Sequence, residues 1–319
     1  MLSRFTFSKF RFFLRVEDEL ILPSFTGTTI RGGFGFQFKK IVCLKKELQK
    51  CHDCALKKVC SYAYIFETSP PESSEKLRKI QDIPRPFVIE PPEGEKRIYK
   101  KGERMTFNLI LIGKGIDYLP YFILTFKELG KKGLGKRRGK YFLEKVSVPI
   151  DIEDKDFKTI YEGREEALSS SYKIWDLSFL LKMKEIKEDG NLTINFLTPT
   201  RIKHNAKLVE DPEFHHIVRS LLHRISSLSY FHCGEELNLN FNEIIEKAIA
   251  VKKIKSEIKW KEIERFSGRQ KTKMKLGGFV GKVVYEGSFK DFIPFLLLGE
   301  QVHIGKSCTF GLGKYRLEK

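Results

Sequence analysis

One short loop is written twice in this chain. Near its end the sequence reads His303-Ile304-Gly305-Lys306-Ser307-Cys308-Thr309-Phe310-Gly311-Leu312-Gly313-Lys314, and a weaker copy runs from Gly130 through Gly133-Leu134-Gly135-Lys136. In both places Gly-Leu-Gly-Lys leads to an aromatic residue and then Leu-Glu-Lys, ending at Lys145 in one copy and Lys319 in the other. Glycine takes positive φ without steric cost and lets backbone approach a neighbour closely; lysines and hydroxyls among the glycines suit an anionic ligand such as a phosphate chain. A duplicated loop, in a chain of 319 residues, implies two similar halves, each large enough to bury its own core.

The order of elements agrees. Aromatic and branched residues alternate with charged ones from Arg4 to Leu22, the pattern of a long strand that Pro23 ends. Ile30, Phe34, Phe38 and Ile41 then recur at helical spacing. Gly32, Gly33 and Gly35 weaken that helix and imply close approach of another backbone or a ligand. Strands follow at Phe87 to Ile89 and Met105 to Ile112, a helix at Tyr118 to Leu129 and a strand at Lys140 to Val148, so the half reads βαββαβ. The second half offers a strand from Leu192 to Ile202 with a bulge at Thr198-Pro199-Thr200, an amphipathic helix from Phe214 to Leu228, and a helical piece at Glu243 to Ala250. A hairpin of Ile254 to Phe266 with Met274 to Tyr285, a helix at Asp291 to Gly299 and a last strand complete it. The expected class is α+β: two tandem ferredoxin-like, RRM-like domains. Their expected spans are 1–155, carrying a cysteine-rich insertion at 43–67, a connection at 156–190, and 191–319.

Lysine and arginine total 59 against 41 acidic residues, a net charge of +18 that favours nucleic acid as partner, with an anionic membrane surface second. No segment has signal-peptide or membrane-spanning character, so a cytoplasmic location is expected, with no membrane partner. Cys43, Cys51, Cys54 and Cys60 follow a C-x7-C-x2-C-x5-C spacing. Four thiolates in one short insertion can enclose a structural zinc, and an iron-sulfur cluster would use the same ligands; free, reduced cysteines are the alternative. Four protein ligands leave no open position for chemistry, and no cofactor for catalysis is expected.

Five blocks carry a resemblance. They are Thr26 to Gly35, the run Cys60-Ser61-Tyr62-Ala63-Tyr64-Ile65-Phe66-Glu67, Phe196 to Arg201, Arg265 to Gln270, and Gly305 to Gly313. In this order they resemble the RAMP superfamily of CRISPR-associated proteins, and within it the sixth Cas family, endoribonucleases that cut precursor CRISPR RNA within each repeat. The resemblance implies tandem ferredoxin-like folds, CRISPR repeat RNA as partner, and a metal-independent cut by the 2′-OH that leaves a 2′,3′-cyclic phosphate. It also admits a different class of protein, a non-catalytic RAMP subunit that holds guide RNA among the subunits of a CRISPR effector complex. Many members of the sixth Cas family carry a histidine on the first helix, and Thr26 to Val42 has none.

The catalytic candidates are therefore Arg31, His303 and His204. Arg31 could stabilise charge developing on phosphorus, the other reading being a salt bridge. His303 could serve as acid or base or simply pack beside the preceding helix, and His204 could be a catalyst or an RNA contact. For RNA binding the candidates are Lys39, Arg137, Arg138, Arg201, Gly305, Lys306, Thr309, Gly311 and Gly313, with Arg269 and Gln270 placed to reach bases. His215, His216 and His223 flank the apolar stripe of their helix and are expected to be ordinary surface residues.

Overall fold

The computed structural model describes residues 2–45, 51–68, 83–151, 156–267 and 272–318. The chain forms two compact units: one of Thr6–Ile174 with Phe231–Cys233, and one of Met1–Phe5, Trp175–Tyr230 and Gly234–Lys319.

In the first unit, strand β1 (Thr6–Val16) alternates as its sequence requires, with Phe10, Phe12, Leu14 and Val16 turned into the core. Helix α1 (Gly27–Val42) and a short helix α2 (Ser61–Phe66) precede β2 (Phe87–Glu90) and β3 (Arg104–Ile112). Helix α3 (Leu119–Lys132) and β4 (Tyr141–Pro149) follow, then β5 (Phe157–Glu162) and β6 (Ala167–Leu168). The strands lie in the order β2-β3-β1-β4-β5-β6. β1 is antiparallel to β3 (Phe10↔Leu109) and to β4 (Leu14↔Leu143). Its first four members are the ferredoxin-like arrangement, with β1 inserted beside the third and fourth strands in sequence. Helix α3 turns Leu119, Phe122, Phe126 and Leu129 to one side, where Phe122 stacks on Phe34 of α1 at 4.4 Å and Phe126 meets Phe12 of β1 at 5.2 Å.

The glycines of α1 make room for neighbours. A Cβ on Gly35 would stand 2.4 Å from the ring of Phe66, so the absent side chain is the seat of α2. Gly33 likewise abuts Leu134 and Leu129.

In the second unit, α4 (Leu177–Met183) is capped by Asp176, whose carboxylate accepts the Phe179 amide at 2.9 Å. Strand β7 (Asp189–Thr200) leads to a small hairpin, β8 (Lys203–His204) and β9 (Lys207–Leu208), then to helices α5 (Phe214–Leu228) and α6 (Phe241–Ala250). Strand β10 (Lys252–Lys261), a second hairpin of β11 (Glu264–Ser267) and β12 (Thr272–Lys275), β13 (Gly278–Ser288), α7 (Ile293–Val302) and β14 (Tyr315–Glu318) complete the unit. The sheet order β10-β13-β7-β14 repeats the ferredoxin-like arrangement of the first unit. The expected bulge is present: pairing of β7 with β13 shifts register between Phe196 and Thr200, around Pro199. Phe196 packs edge-on to Phe279 at 4.9 Å, and Tyr315 closes the core with its hydroxyl donating to the Leu296 carbonyl at 2.6 Å.

Three expectations need correction. The span 156–190 is no linker: β5 pairs with β4, burying Ile160 and Tyr161, while α4 belongs to the second unit. The long hairpin of Ile254 to Tyr285 is divided, because β10 pairs directly with β13 (Lys261↔Gly278) and β11 with β12 forms a separate two-stranded extension. The last helix starts two residues later than expected and runs to Val302, because Pro294 is accommodated in its first turn.

Candidate nucleic-acid interface

The closing glycine loop is a backbone lock. Gly305, Gly311 and Gly313 all have positive φ (81°, 86° and 76°). A Cβ on Gly313 would lie 1.9 Å from the Ile304 carbonyl oxygen, and one on Gly305 would lie 2.5 Å from that of Arg201. The loop's amides are occupied: Ile304 N–H donates to Gly313 O, Lys306 N–H to Arg201 O, Gly311 N–H to Cys308 O, and Gly313 N–H to Pro199 O. The amides of Lys306 and Gly311 to Lys314 that could have gripped phosphate are thus largely spent on the fold, and buried Gly311 and Gly313 contact no ligand from solvent. Lys306 is exposed and Thr309 half-buried, so those two side chains are what the loop presents.

His303 is fully buried, its Nδ1 3.0 Å from the Leu312 carbonyl, in a backbone with φ 65°. It has the geometry of a packing residue at the end of α7. Arg201 donates from Nη1 to the carbonyls of Gly277 (2.7 Å) and Lys275 (3.3 Å), tying the β12–β13 turn to the end of β7. Burial draws its pKa down, with Glu262 pulling the other way.

The loop in the first unit obeys the same rule at its glycines and differs at its surface. Gly133 and Gly135 have positive φ, and a Cβ on either would strike the carbonyl of Arg138 or of Ile21. Lys136, Arg137, Arg138 and Lys140 stand exposed around it, and Arg137 reaches Glu19 at 3.4 Å. Arg31 is half-buried, with its guanidinium carbon 4.4 Å from the centroid of the Phe66 ring. The planar group expected to face a phosphate is therefore stacked on α2. Lys39, on the same helix, borders a pocket that Cys43, Cys51, Cys54 and Cys60 also line. Arg269 and Gln270 lie outside the described residues.

Three histidines form a cluster the sequence hid. His204 sits in the β8–β9 hairpin, turned tightly by Asn205 and Ala206 at positive φ, and its ring lies 4.6 Å from His216 and 5.8 Å from His215 at the start of α5. All three are half-buried and offer ring nitrogens within 4.8 Å of one another, the one such set of metal-ligand type among the described residues. Burial, then the neighbouring histidines, pulls His215 below its usual pKa and His216 down to about 4. His216 has a second task. Its Nδ1 accepts the Glu213 amide at 3.1 Å, while the Glu213 carboxylate accepts the His216 amide in return. A neutral ring that accepts at Nδ1 carries its proton on Nε2, which opposes metal ligation by this histidine.

The other feature missed from the sequence is β10. As an edge strand of its sheet it is exposed along most of its length, including Lys252, Lys255, Lys259, Trp260 and Lys261. Lys253 is bound to Asp211 and Glu213 at 2.6 and 2.8 Å, and Lys255 to Glu257 at 2.6 Å. Lys259 and Lys261 precede and follow Trp260 and, by the alternation of a strand, project from the opposite face, so this edge offers cations on one face and an aromatic ring on the other, both of which a single-stranded nucleic acid can use. The signal was available in the string Lys-Lys-Ile-Lys-Ser-Glu-Ile-Lys-Trp-Lys, whose lysines fall on both faces of the strand.

Comparison with known proteins places these features. Residues 5–172 match the AF_1859 N-terminal domain family, and residues 194–315 match the family described as CRISPR-associated endoribonuclease Cas6. An uncharacterized protein of Archaeoglobus fulgidus is 28% identical over 298 residues, covering 93% of this chain and 92% of its own. The structure of Thermus thermophilus Cas6 matches with a TM-score of 0.55 at 13% identity, covering 98% of this chain and 99% of that one. The product complex of the same protein matches with a TM-score of 0.58 at 15% identity and the same coverage. A partial Cas6-RT-Cas1–Cas2 complex matches with a TM-score of 0.57 at 12% identity, over 98% of this chain and 46% of that one. At these identities the structural likeness is one of fold.

Proposed function

This chain belongs to the AF_1859 N-terminal domain family, its residues 194–315 match the Cas6 endoribonuclease family, and from that premise we propose that it cleaves precursor CRISPR RNA within the repeats to release guide RNAs. The observation that carries the reading is the match of residues 194–315 to the endoribonuclease family, because the same span holds the exposed lysines of β10, Lys306 and the histidine cluster.

The proposed cut needs no metal. The ribose 2′-OH attacks the adjacent phosphorus in line, the P–O5′ bond breaks, and the products are a 2′,3′-cyclic phosphate and a 5′-OH. The protein has to align the attack, remove the 2′-OH proton and return one to O5′. Of the three residues nominated from sequence, we take His204 as the one for proton transfer. Arg31 is stacked on Phe66, His303 is enclosed, and His204 sits half-exposed at a hairpin rim between exposed Lys203 and Lys207. We assign it the transfer to O5′, with the lysines attracting the phosphate. The expected partner is repeat RNA, and the likeness to a partial Cas6-RT-Cas1–Cas2 complex supports association with other CRISPR proteins.

A second reading, a RAMP subunit that binds guide RNA without cutting it, is favoured by two observations: α1 holds no histidine, and His303 is sealed from solvent. Incubating the protein with end-labelled repeat RNA in EDTA separates the two. A discrete cut with a cyclic phosphate end, abolished by 2′-deoxy substitution at the scissile nucleotide, selects the enzyme. Binding with no cut selects the subunit.

A further inference from the structure

The cysteine pocket of the first unit is independent of the RNA reading. Cys43 is the residue that ends α1, its amide bonded to the Lys39 carbonyl; Cys60 is the residue that begins α2; Cys51 and Cys54 lie in the turn between. Four cysteines separated by up to 17 positions in sequence thus line one pocket, and none is in a disulfide. Lys39 and Lys57 stand at the same pocket, and among the described residues its lining holds no carboxylate. Those cations offset the net negative charge of a divalent ion held by four thiolates.

The described part of the segment contributes little apolar burial. Leu44 and Val59 are 82% and 81% exposed, and its backbone is closed by single turns, Cys54 N–H to Cys51 O, Lys57 N–H to Cys54 O and Val59 N–H to Leu56 O. Yet it must deliver α2 to a demanding seat, where Phe66 fills the space left by Gly35 and Tyr62 stacks near Phe38 at 6.0 Å. An insertion that cannot bury apolar surface but must hold a fixed position is where a metal replaces a core.

We propose that Cys43, Cys51, Cys54 and Cys60 bind one zinc ion as four thiolates, and that this ion clips the start of α2 to the end of α1. The role is structural, since four protein ligands leave no open position. Ligation would draw the four sulfurs inward from the pocket wall.

The test uses the full-length purified protein. Elemental analysis after exhaustive dialysis is expected to find about one zinc per chain. Exchange for cobalt is expected to give the absorption of tetrahedral thiolate coordination, a readout that requires no variant to fold. Cys51→Ser with Cys54→Ser is expected to lose the metal, and Cys233→Ser, outside the pocket, to retain it. Below about half an equivalent of zinc, cobalt spectra without thiolate bands, or iron accompanied by acid-labile sulfide would each overturn the proposal. None of these outcomes depends on whether the protein cuts RNA.

Discussion

Thr198 and Lys314 are joined across the second unit by a hydroxyl that works in both directions: Oγ1 of Thr198 accepts the Lys314 amide at 2.9 Å and donates to the Gly311 carbonyl at 2.9 Å. The bulge in β7 therefore serves to fasten the glycine loop, and Thr198→Val removes both bonds at nearly constant volume. Two backbone groups then lose their partner, and a loss of about 2–3 kcal/mol is expected in urea denaturation. Gly313→Ala should cost at least as much, since its Cβ would meet the Ile304 carbonyl at 1.9 Å in a left-handed backbone. Lys306→Ala should leave stability unchanged and weaken RNA binding, because its exposed side chain is what the loop presents. If all three variants lost stability equally, the division of this loop into lock and contact would be wrong.

The strand β10 supports a prediction about salt. Replacing Lys259 and Lys261 by Ala should flatten the dependence of log affinity on log salt by about 1.4, taking about 0.7 per phosphate released from a single strand. Trp260→Ala should lower affinity by about 1–3 kcal/mol without changing that slope, since stacking displaces no counterions. Filter binding of repeat RNA over a salt series checks both. A slope unchanged by the lysine variant would remove β10 from the interface.

What could be read from the sequence divides along physical lines. The two βαββαβ orders were legible because each depends on local periodicity: Phe10, Phe12 and Leu14 alternate, and Leu119, Phe122, Phe126 and Leu129 recur at helical spacing. The glycine loops stand out in the sequence, but which partner their glycines accommodate does not. Glycine marks close approach of backbone, and the sequence does not say whether the approaching group is a ligand or, as with Arg201 and Ile304, another carbonyl of the same chain. The histidine cluster was not legible, because His204 reaches His215 and His216 only through the β8–β9 turn. Arg31 and His303 looked reactive by residue type, and burial under Phe66 or inside the core decided otherwise.

Acid should loosen the start of α5. His216 has its pKa drawn down to about 4, burial first and the adjacent histidines next, from an unfolded value near 6.5. The unfolded chain therefore binds the extra proton first as pH falls, so stability is fully present above about 6.5 and is lost as pH drops toward 4. His215 is shifted in the same direction and adds to the effect. Because the cluster is half-exposed, the loss is expected at about 1–2 kcal/mol after solvent screening. His216→Gln keeps an acceptor at the third helical position and cannot titrate. It should be less sensitive than the parent protein when urea midpoints at pH 7 and pH 5 are compared, and an undiminished difference would count against the histidine.

The assignment of His204 to the leaving oxygen can be tested apart from binding. His204→Ala should slow the cut of repeat RNA by about 10²–10⁴-fold, the usual contribution of a positioned acid or base, while the Kd changes little. A defect of that size could also follow from a misplaced hairpin, since Lys203 and Lys207 pair with Leu208 and His204 across it. A substrate whose scissile O5′ is replaced by sulfur discriminates, because a thiolate leaves without being protonated. If His204 supplies the proton, the variant and the parent protein should cut the thio substrate at similar rates. If the variant remains slow on that substrate, His204 positions the RNA and the proton comes from another group.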